Sequence, residues 1–236
     1  MKKGIRLIAL DLDDTLWDVE ATIGAAEQSL RQWMSDHTPD ALSIYGSNQV
    51  VEIRNEVLNA FPEQRHDLSL LRTEVLYRSM LRSGIKDVES RALAKQAFSV
   101  FFQARNNVAF FPGAQDVLAV LAKQYSLFAV TNGNASIQAV GIGEYFIGAV
   151  SSADVGVKKP DPRIFQHALA QAGCSAEEAV HVGDNLLDDI AGAHSSNLRS
   201  VWVNHRGHNR RPEDATPSAE IADLRQLPEA VARLEA

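Results

Sequence analysis

An apolar segment that ends on a cluster of acids constrains this chain more than any other feature. Ile5–Leu10 is mostly aliphatic, and Asp11, Asp13 and Asp14 follow it directly. Strands of parallel sheets are buried on both faces and bind ligands beyond their carboxyl ends. Carboxylates this close repel one another unless a cation lies among them, and Mg²⁺ prefers oxygen ligands. The segment predicts a buried strand that ends at a metal site, with an ordinary acidic turn before a helix as the alternative.

Helical spacing of apolar residues replaces this pattern between the first strand and residue 106. Four amphipathic segments follow one another, at Ala21–Met34, Val50–Leu58, Leu70–Leu81 and Ala92–Phe102. No strand pattern interrupts them, so each is predicted to be a helix with one buried face. The simplest interpretation is a helical bundle inserted directly after the first strand. We therefore predict a helical domain over residues 17–106.

From Phe110 onward, short apolar strands alternate with helical segments. The predicted strands are Tyr125–Val130, Ile147–Ser151, Ala179–Val182, Arg199–Val203 and Glu220–Ala222. Alternation of this kind is typical of right-handed crossovers that connect the strands of a parallel sheet. The predicted fold class is α/β, with a Rossmann-like parallel-sheet core over residues 1–16 and 107–236 and an inserted α-helical bundle.

Polar residues follow three of the predicted strands. They are Asp11 to Asp13, Thr131-Asn132 and Gly183-Asp184, with Lys159 at the start of a helix. Because parallel strands end on one edge of a sheet, we expect these side chains to converge. Carboxylates bind a metal, a hydroxyl and an amide donate hydrogen bonds to an oxyanion, and a lysine neutralises its charge. The combination predicts a site for an anionic substrate.

Composition excludes several classes of partner. The 23 basic and 30 acidic residues give a formal charge of −7, which offers no broad surface for nucleic acid or an anionic membrane. Cys174 is the single cysteine and has no internal disulfide partner. The sequence contains no P-loop, and no uncharged apolar run approaches the length of a membrane span. We therefore expect a cytoplasmic protein, monomer or homodimer, whose partner is a small molecule.

Four segments in sequence order resemble the motifs of the haloacid dehalogenase-like (HAD) hydrolase superfamily. They are Asp11-Leu12-Asp13-Asp14-Thr15, the apolar strand that ends at Thr131, Lys159 within Lys-Pro-Asp-Pro, and Gly183-Asp184 followed by Asp188-Asp189. The resemblance covers nearly the whole chain, and the helical insert corresponds to the helical cap domain of that family. It implies an enzyme whose cap opens for substrate exchange and closes to exclude water.

The resemblance implies a phosphatase mechanism. Asp11 would be the nucleophile that forms an aspartyl-phosphate, and Asp13 would protonate the leaving oxygen and then activate water. Mg²⁺ would be bound by Asp11, the backbone carbonyl of Asp13, and Asp184. Asp189 would lie behind these ligands and support the metal or the lysine. Asp188 stays open as an alternative to Asp189 for the last acid of the fourth motif.

The resemblance also implies which residues bind the phosphoryl group. Thr131 and Asn132 would bind its oxygens, and Lys159 would offset the negative charge of the phosphate and of Asp11. Lys158 stays open as an alternative to Lys159, because the two lysines are adjacent. The implied substrate is a small soluble phosphorylated metabolite, such as FMN, a riboflavin-precursor phosphate, a nucleotide or a sugar phosphate.

Haloacid dehalogenases of this superfamily use the same nucleophile on carbon, and they are the main competing interpretation. A halide leaves without a proton donor or a metal, and these enzymes lack the second aspartate of the first motif and the metal aspartate of the fourth. Asp13 and Asp184 are both present here, which favours phosphomonoester hydrolysis. The other alternative is a non-catalytic HAD-like protein that binds phosphate or regulates, against which the intact pair Asp11 and Asp13 argues.

A finer resemblance points to the bacterial branch that dephosphorylates FMN and the phosphoribitylamino-uracil precursor of riboflavin. It rests on the Leu-Asp-Asp-Thr-Leu-Trp start, the His-Val-Gly-Asp segment, and His66-Asp67-Leu68-Ser69 with Arg72. Arg72 is predicted to bind the phosphate or ring of the substrate, with a position on the bundle surface as the alternative. Trp17 is predicted to stack on a substrate ring, with packing at the cap hinge as the alternative.

Overall fold

The computed structural model describes residues 4–235 and divides into two compact units. The α/β unit comprises Met1–Val19 and Val108–Ala236, and the helical unit comprises Glu20–Asn107. The helical unit is thus inserted after the first strand, where helical spacing begins in the sequence. The junctions predicted from the sequence, at residues 16/17 and 106/107, lie a few residues from those of the structure.

Five α-helices form the helical unit. They are α1 (Val19–His37), α2 (Pro39–Tyr45), α3 (Gln49–Ala60), α4 (Leu68–Arg82) and α5 (Asp87–Arg105), with a 3₁₀ turn at Pro62–Gln64. Each helix buries one face; in α1 the buried apolar residues Ala26, Leu30 and Met34 recur every four positions. These faces pack into one hydrophobic core. The sequence does not predict α2, because a segment so short shows too few turns for a helical period.

Six parallel strands form the sheet of the α/β unit, in the order β3-β2-β1-β4-β5-β6. They are β1 (Leu7–Leu10), β2 (Ser126–Thr131), β3 (Phe146–Ser151), β4 (Ala179–Gly183), β5 (Arg199–Val203) and β6 (Ala219–Ile221). The chain starts in the middle of the sheet, builds outward to β3, and then crosses to β4 on the other side of β1. This Rossmann-like order confirms the predicted α/β fold class, and the strand order reverses between β1 and β4, where such sheets bind ligands.

Both faces of the sheet are covered by apolar side chains. Along β1, Ile8 and Leu10 belong to one buried cluster, whereas Leu7 and Ala9 belong to another. This alternation follows from the period of two in a strand. Because both sets are apolar, the strand has no face for solvent, and its first polar residue, Asp11, comes where the strand ends.

Short helices connect the strands of the α/β unit. They are α6 (Ala114–Leu121), α7 (Ile137–Val140), α8 (Ser152–Val155), α9 (Pro162–Ala172), a π-helical turn (Leu186–Ala191), α10 (Gly192–Ser195) and α11 (Leu227–Glu235), with 3₁₀ turns at Gly143–Tyr145, Ala176–Glu178 and Leu224–Gln226. Helix α11 is not predicted from the sequence, although Leu227, Ala230 and Val231 bury an apolar face. Within residues 4–235, none of the helices has the length and apolar character needed to cross a membrane.

Candidate active site

The loop after β1 is tied to the sheet and to itself by backbone hydrogen bonds. The N–H of Asp11 donates to the carbonyl of Val182 in β4 at 2.9 Å, so the loop begins in register with the sheet. The N–H of Asp14 donates to the carbonyl of Trp17 at 2.8 Å. Asp14 has φ 56°, a left-handed conformation that aspartate tolerates better than most residues. This turn holds Asp11 and Asp13 where both line one cavity.

A buried hydroxyl connects the acid after β1 with the acid after β4. Thr15 is fully buried, and its Oγ1 lies 3.1 Å from Asp11 Oδ2 and 3.4 Å from Asp184 Oδ1. A hydroxyl has one hydrogen, so Thr15 donates to one of the two carboxylates at a time. The two acids are far apart in the sequence and meet because β1 and β4 are neighbours in the sheet.

A buried lysine contacts the carboxylate of Asp11. Lys159 is 2% exposed, and its Nζ lies 2.5 Å from Asp11 Oδ1 and 2.7 Å from Asp189 Oδ1. Burial by itself lowers the pKa of Lys159, but the charges of Asp11 and Asp189 outweigh burial and raise this pKa above its usual value. Lys159 is therefore an ammonium ion between two carboxylates. Lys158 is exposed, so of the two adjacent lysines Lys159 contacts the acids.

Asp189 is fully hydrogen-bonded inside the unit. Its Oδ1 also lies 2.8 Å from His181 Nε2, and its Oδ2 accepts from the N–H of Asn185 at 3.0 Å. Burial raises the pKa of Asp189, but Lys159 and His181 outweigh that effect and hold this pKa well below its usual range. No role for His181 is predicted from the sequence. The available signal was a histidine in β4, whose other residues are alanine, valine and glycine.

The side-chain amide of Asn132 holds the backbone of Lys159. Its Oδ1 accepts from the Lys159 N–H at 2.7 Å, and its Nδ2 donates to the Lys159 carbonyl at 3.1 Å. The same Nδ2 lies 3.0 Å from Asp188 Oδ2. Asp188 and Asp189 thus have different partners, since Asp189 contacts the ammonium group of the lysine and Asp188 contacts the amide. The predicted role of Asn132 in binding phosphoryl oxygens stays a prediction.

One cavity of about 170 Å³ brings together most of the residues predicted from the sequence. Its lining includes Asp11, Asp13, Thr131, Asn132, Lys159, Asp184, Asp188 and Asp189. Thr131 is 3% exposed, and its hydroxyl accepts the N–H of Gly133 at 2.9 Å, which leaves the hydroxyl hydrogen for another acceptor. The cavity therefore offers carboxylates, an ammonium group and a hydroxyl within a space suited to a phosphoryl group.

Arg72 and Trp17, both predicted to bind substrate, contact other side chains of the protein. Arg72 lies in the helical unit, where its Nη1 is 2.9 Å from Glu27 Oε2 and its guanidinium lies 3.7 Å from the centroid of the Phe101 ring. Trp17 is fully buried in the core of the α/β unit, and its ring and that of Phe110 pack in a T-shaped arrangement with centroids 5.7 Å apart. Substrate binding by Arg72 and Trp17 stays a prediction, and the burial of Trp17 favours packing, its alternative.

The acids of the cavity fit a hard divalent cation. Asp11, Asp184 and Asp189 each offer a carboxylate oxygen, and these oxygens lie within 4.8 Å of one another. Burial, together with the charges of Asp189 and Asp14, raises the pKa of Asp184 to about 7. Burial also raises the pKa of Asp11, against the opposing effect of Lys159. A cation relieves this repulsion. Lys159, His181 and the N–H of Asn185 occupy both oxygens of Asp189, whereas Thr15 can donate to only one of Asp11 and Asp184 at a time, so these two acids are better placed to bind the cation.

Gly183→Ala is expected to disrupt this arrangement. A Cβ at position 183 would lie 2.2 Å from Asp189 Cγ, so the buried carboxylate must shift from the position in which it contacts Lys159. We expect a loss of activity of about tenfold to a hundredfold and a destabilisation of about 1–3 kcal/mol. Steady-state kinetics and chemical denaturation measure the two effects.

The matched control is Gly24→Ala in α1, where a Cβ meets no atom within 4 Å. This change is expected to stabilise the helix by about 1 kcal/mol, because alanine has the higher helix propensity. Turnover is expected to stay near that of the wild type. A Gly183→Ala protein with wild-type activity would show that the position of Asp189 does not matter.

The four motif segments, from Asp11 to Asp189, lie within a region that matches a known protein family. The family model for haloacid dehalogenase-like hydrolases matches residues 5–197. The 5-amino-6-(5-phospho-D-ribitylamino)uracil phosphatase YigB of Escherichia coli is 31% identical over 199 residues, which cover 84% of this chain and 83% of that protein. The phosphoserine phosphatase of Thermus thermophilus is 37% identical over 142 residues, covering 57% of this chain and 56% of the relative.

A solved structure resembles nearly the whole chain. The crystal structure of a 2-haloacid dehalogenase from Pseudomonas syringae pv. Tomato superimposes with a TM-score of 0.91 at 40% sequence identity. The match covers 97% of this chain and 99% of that one. The resemblance therefore extends over both units, and the names of the similar proteins include both phosphatases and a dehalogenase.

Proposed function

Because the chain belongs to the haloacid dehalogenase-like hydrolase family, we propose that it is a Mg²⁺-dependent phosphomonoester hydrolase. One observation carries the proposal: Asp13 and Asp184 line the same cavity as Asp11 and Lys159. Hydrolysis of a phosphate ester needs a proton for the leaving oxygen and a cation that offsets the charge of the phosphate. Asp13 would donate the proton, and Asp184 would help to bind the cation. The proposed substrate is a small phosphorylated metabolite in the cytoplasm, acted on by a monomer or homodimer.

The proposed reaction proceeds in two displacements. A carboxylate oxygen of Asp11 attacks phosphorus while the bond from phosphorus to the leaving oxygen breaks, which gives an aspartyl-phosphate. The acid form of Asp13 delivers its proton to that oxygen, so the product leaves as an alcohol. Asp13 then accepts a proton from water, whose oxygen attacks phosphorus and releases phosphate and the Asp11 carboxylate. The same two residues are thus regenerated.

Fixed positive charge and donors support this chemistry. Lys159, held between Asp11 and Asp189, reduces the repulsion between an anionic nucleophile and a phosphate. The Thr131 hydroxyl is proposed to donate to a phosphoryl oxygen. Asp11, Asp184 and the backbone carbonyl of Asp13 are the proposed Mg²⁺ ligands, with Asp189 supporting the lysine. Bound Mg²⁺ would neutralise part of the negative charge that the phosphate and carboxylates share.

The identity of the substrate is the finer part of the proposal. The name of the Escherichia coli relative describes a phosphatase of a ribitylamino-uracil phosphate, and that of the Thermus thermophilus relative describes a phosphoserine phosphatase. We include FMN, the riboflavin precursor phosphate, phosphoserine, nucleotides and sugar phosphates as candidates. Arg72 in the helical unit is the proposed contact to the substrate, which requires exchange of its ion pair with Glu27.

Metal removal tests the proposal directly. Phosphate release from this panel is expected with Mg²⁺ and is expected to fall to background with EDTA, because the acids alone repel an anionic substrate. Activity should return when Mg²⁺ is added back in excess over EDTA, which controls for irreversible unfolding. Full turnover in EDTA would contradict the metal dependence. Phosphate binding without turnover would instead support the non-catalytic alternative.

Dehalogenation is the second candidate, and the name of the 40% identical structure favours it. A 2-haloacid would need Asp11 alone as nucleophile, with carbon in the place of phosphorus. Halide release from 2-chloropropionate in the presence of EDTA tests this candidate, because displacement of halide requires neither a proton donor nor a metal. Halide release without phosphate release would reverse the assignment.

A further inference from the structure

A buried tryptophan contacts the second acid of the nucleophile loop. The Nε1–H of Trp17 donates to Asp13 Oδ1 at 2.8 Å. Trp17 is 0% exposed, whereas Asp13 is partly buried and lines the cavity. The two residues are four positions apart, and the turn that Asp14 makes with its left-handed φ brings them together. The indole is therefore placed to act on the reaction through Asp13.

The tryptophan is itself held rigidly. Its ring meets Phe110 edge-on at 5.7 Å with an interplanar angle of 81°. The carbonyl of Leu16, just before it, accepts the N–H of Phe111 at 2.9 Å. A fully buried indole has no freedom to change rotamer, so its N–H points in one direction. Without Asp13 this donor would be buried and unsatisfied, which ties the two side chains together energetically.

We propose that Trp17 is a positioning residue that orients the carboxyl group of Asp13 for proton transfer to the leaving oxygen. The inference rests on the proposed phosphatase function and adds a specific role for a residue first considered as a substrate contact. Proton transfer requires the acid within hydrogen-bond reach of the leaving oxygen, and a fixed rotamer keeps it there. Asp13 stays the acid, and Trp17 acts only through it.

The hydrogen bond also selects which oxygen carries the proton. Oδ1 accepts the indole N–H, so the proton of the acid form resides on Oδ2. In the first displacement the Oδ2–H bond breaks, an O–H bond forms on the leaving oxygen, and the bond from phosphorus to that oxygen breaks. The Asp13 carboxylate that results still accepts the indole N–H. The donor therefore stabilises Asp13 in both protonation states without itself losing a proton.

The test uses leaving groups that differ in their need for a proton. The leaving group of an alkyl ester such as phosphoserine departs as an unstable alkoxide unless its oxygen is protonated. The leaving group of 4-nitrophenyl phosphate departs as a stable phenolate without a proton. Trp17→Phe removes the N–H and keeps a buried aromatic ring. We expect kcat/KM to fall about tenfold for phosphoserine and much less for 4-nitrophenyl phosphate. The ratio kcat/KM is the right readout, because it reports the first irreversible step.

Two comparisons separate positioning from packing. Phe110→Leu loosens the ring contact and keeps the indole N–H, so its effect is expected to be small and equal for both esters. In an Asp13→Asn background, Trp17→Phe is expected to cause no further loss of kcat/KM, because the effects of substitutions at residues that act as a unit are not additive. Trp17→3-benzothienylalanine replaces the N–H by sulfur at nearly constant shape and serves if the phenylalanine variant does not fold.

The outcomes are distinct from those of the proposed function. If the wild type hydrolyses neither 4-nitrophenyl phosphate nor any alkyl ester of the substrate panel in the presence of Mg²⁺, the phosphatase proposal fails and this inference fails with it. If the wild type hydrolyses both and Trp17→Phe lowers kcat/KM equally for both, Trp17 contributes packing only. Unchanged kcat/KM for phosphoserine in a folded variant would also overturn the positioning role. A selective loss on phosphoserine supports it.

Discussion

Asp11→Asn is expected to abolish phosphate release, with a fall in kcat of at least about 10⁴-fold. A neutral amide is a poor nucleophile, and the substitution also removes the charge that Lys159 contacts at 2.5 Å. Steady-state phosphate release in saturating Mg²⁺ measures the effect. The metal requirement of the variant also changes, since Asp11 is a proposed Mg²⁺ ligand, so the measurement is repeated over a range of Mg²⁺ concentrations.

A matched substitution makes this result specific. Asp116→Asn makes the same change on the exposed side of the first turn of α6 and is expected to keep wild-type turnover. The nucleophile is identified independently by quenching wild-type turnover with borohydride, which reduces an aspartyl-phosphate, and by locating the modified residue by mass spectrometry. Modification at another residue, or appreciable turnover by Asp11→Asn at any Mg²⁺ concentration, would assign the nucleophile elsewhere.

Lys159→Met is expected to impair both activity and stability. The lysine is buried and pairs with Asp11 and Asp189, so its removal leaves two buried carboxylates without their cation. Loss of one partner from a buried ion pair costs about 3–5 kcal/mol. Turnover is expected to fall at least about 10²-fold, because the charge that offsets the nucleophile and the phosphate is absent. Urea denaturation and phosphate release measure the two effects.

The stability deficit of Lys159→Met should depend on pH. In the wild type, Lys159 and His181 hold the pKa of Asp189 well below its usual range, so this contribution is present near neutral pH and is lost only in strong acid. In the variant the charge of Lys159, the largest of the effects that lower this pKa, is absent, so the pKa of the same carboxyl rises. The variant therefore loses less stability than the wild type as the pH falls, and the gap between the two proteins narrows in acid.

Lys158→Met is the matched control for this pair of measurements. Lys158 is exposed and adjacent to Lys159, so the control removes the same charge from almost the same place in the sequence. Surface substitutions of this kind usually change the free energy of unfolding by less than about 0.5 kcal/mol. Equal losses from Lys158→Met and Lys159→Met would show that the buried ion pairs are not the cause.

Much of the fold and of the candidate site follows from local patterns. The alternation of apolar strands and helical segments predicted the α/β class, and the structure confirms it, because burial on both faces of a parallel sheet leaves a continuous apolar run in the sequence. The polar residues at strand ends, including Asp11, Thr131 and Asp184, line one cavity, because the carboxyl ends of parallel strands meet at one edge of the sheet. Among the helices that were not predicted, α2 and α11 are short, and their apolar spacing spans too few turns to stand out. The four-residue helices α7, α8 and α10 show no helical period in the sequence and were not predicted either.

The residue types at the edge of the sheet can therefore be predicted from the sequence alone, since the ends of strands follow from composition and spacing. The folded structure shows which of the neighbours Lys158 and Lys159 contacts Asp11, because adjacent side chains point in different directions. It also decided that His181 contacts Asp189 and that Trp17 contacts Asp13. Such contacts depend on strand order, turn geometry and rotamers within a close-packed interior, and residue types and their spacing do not encode those directly.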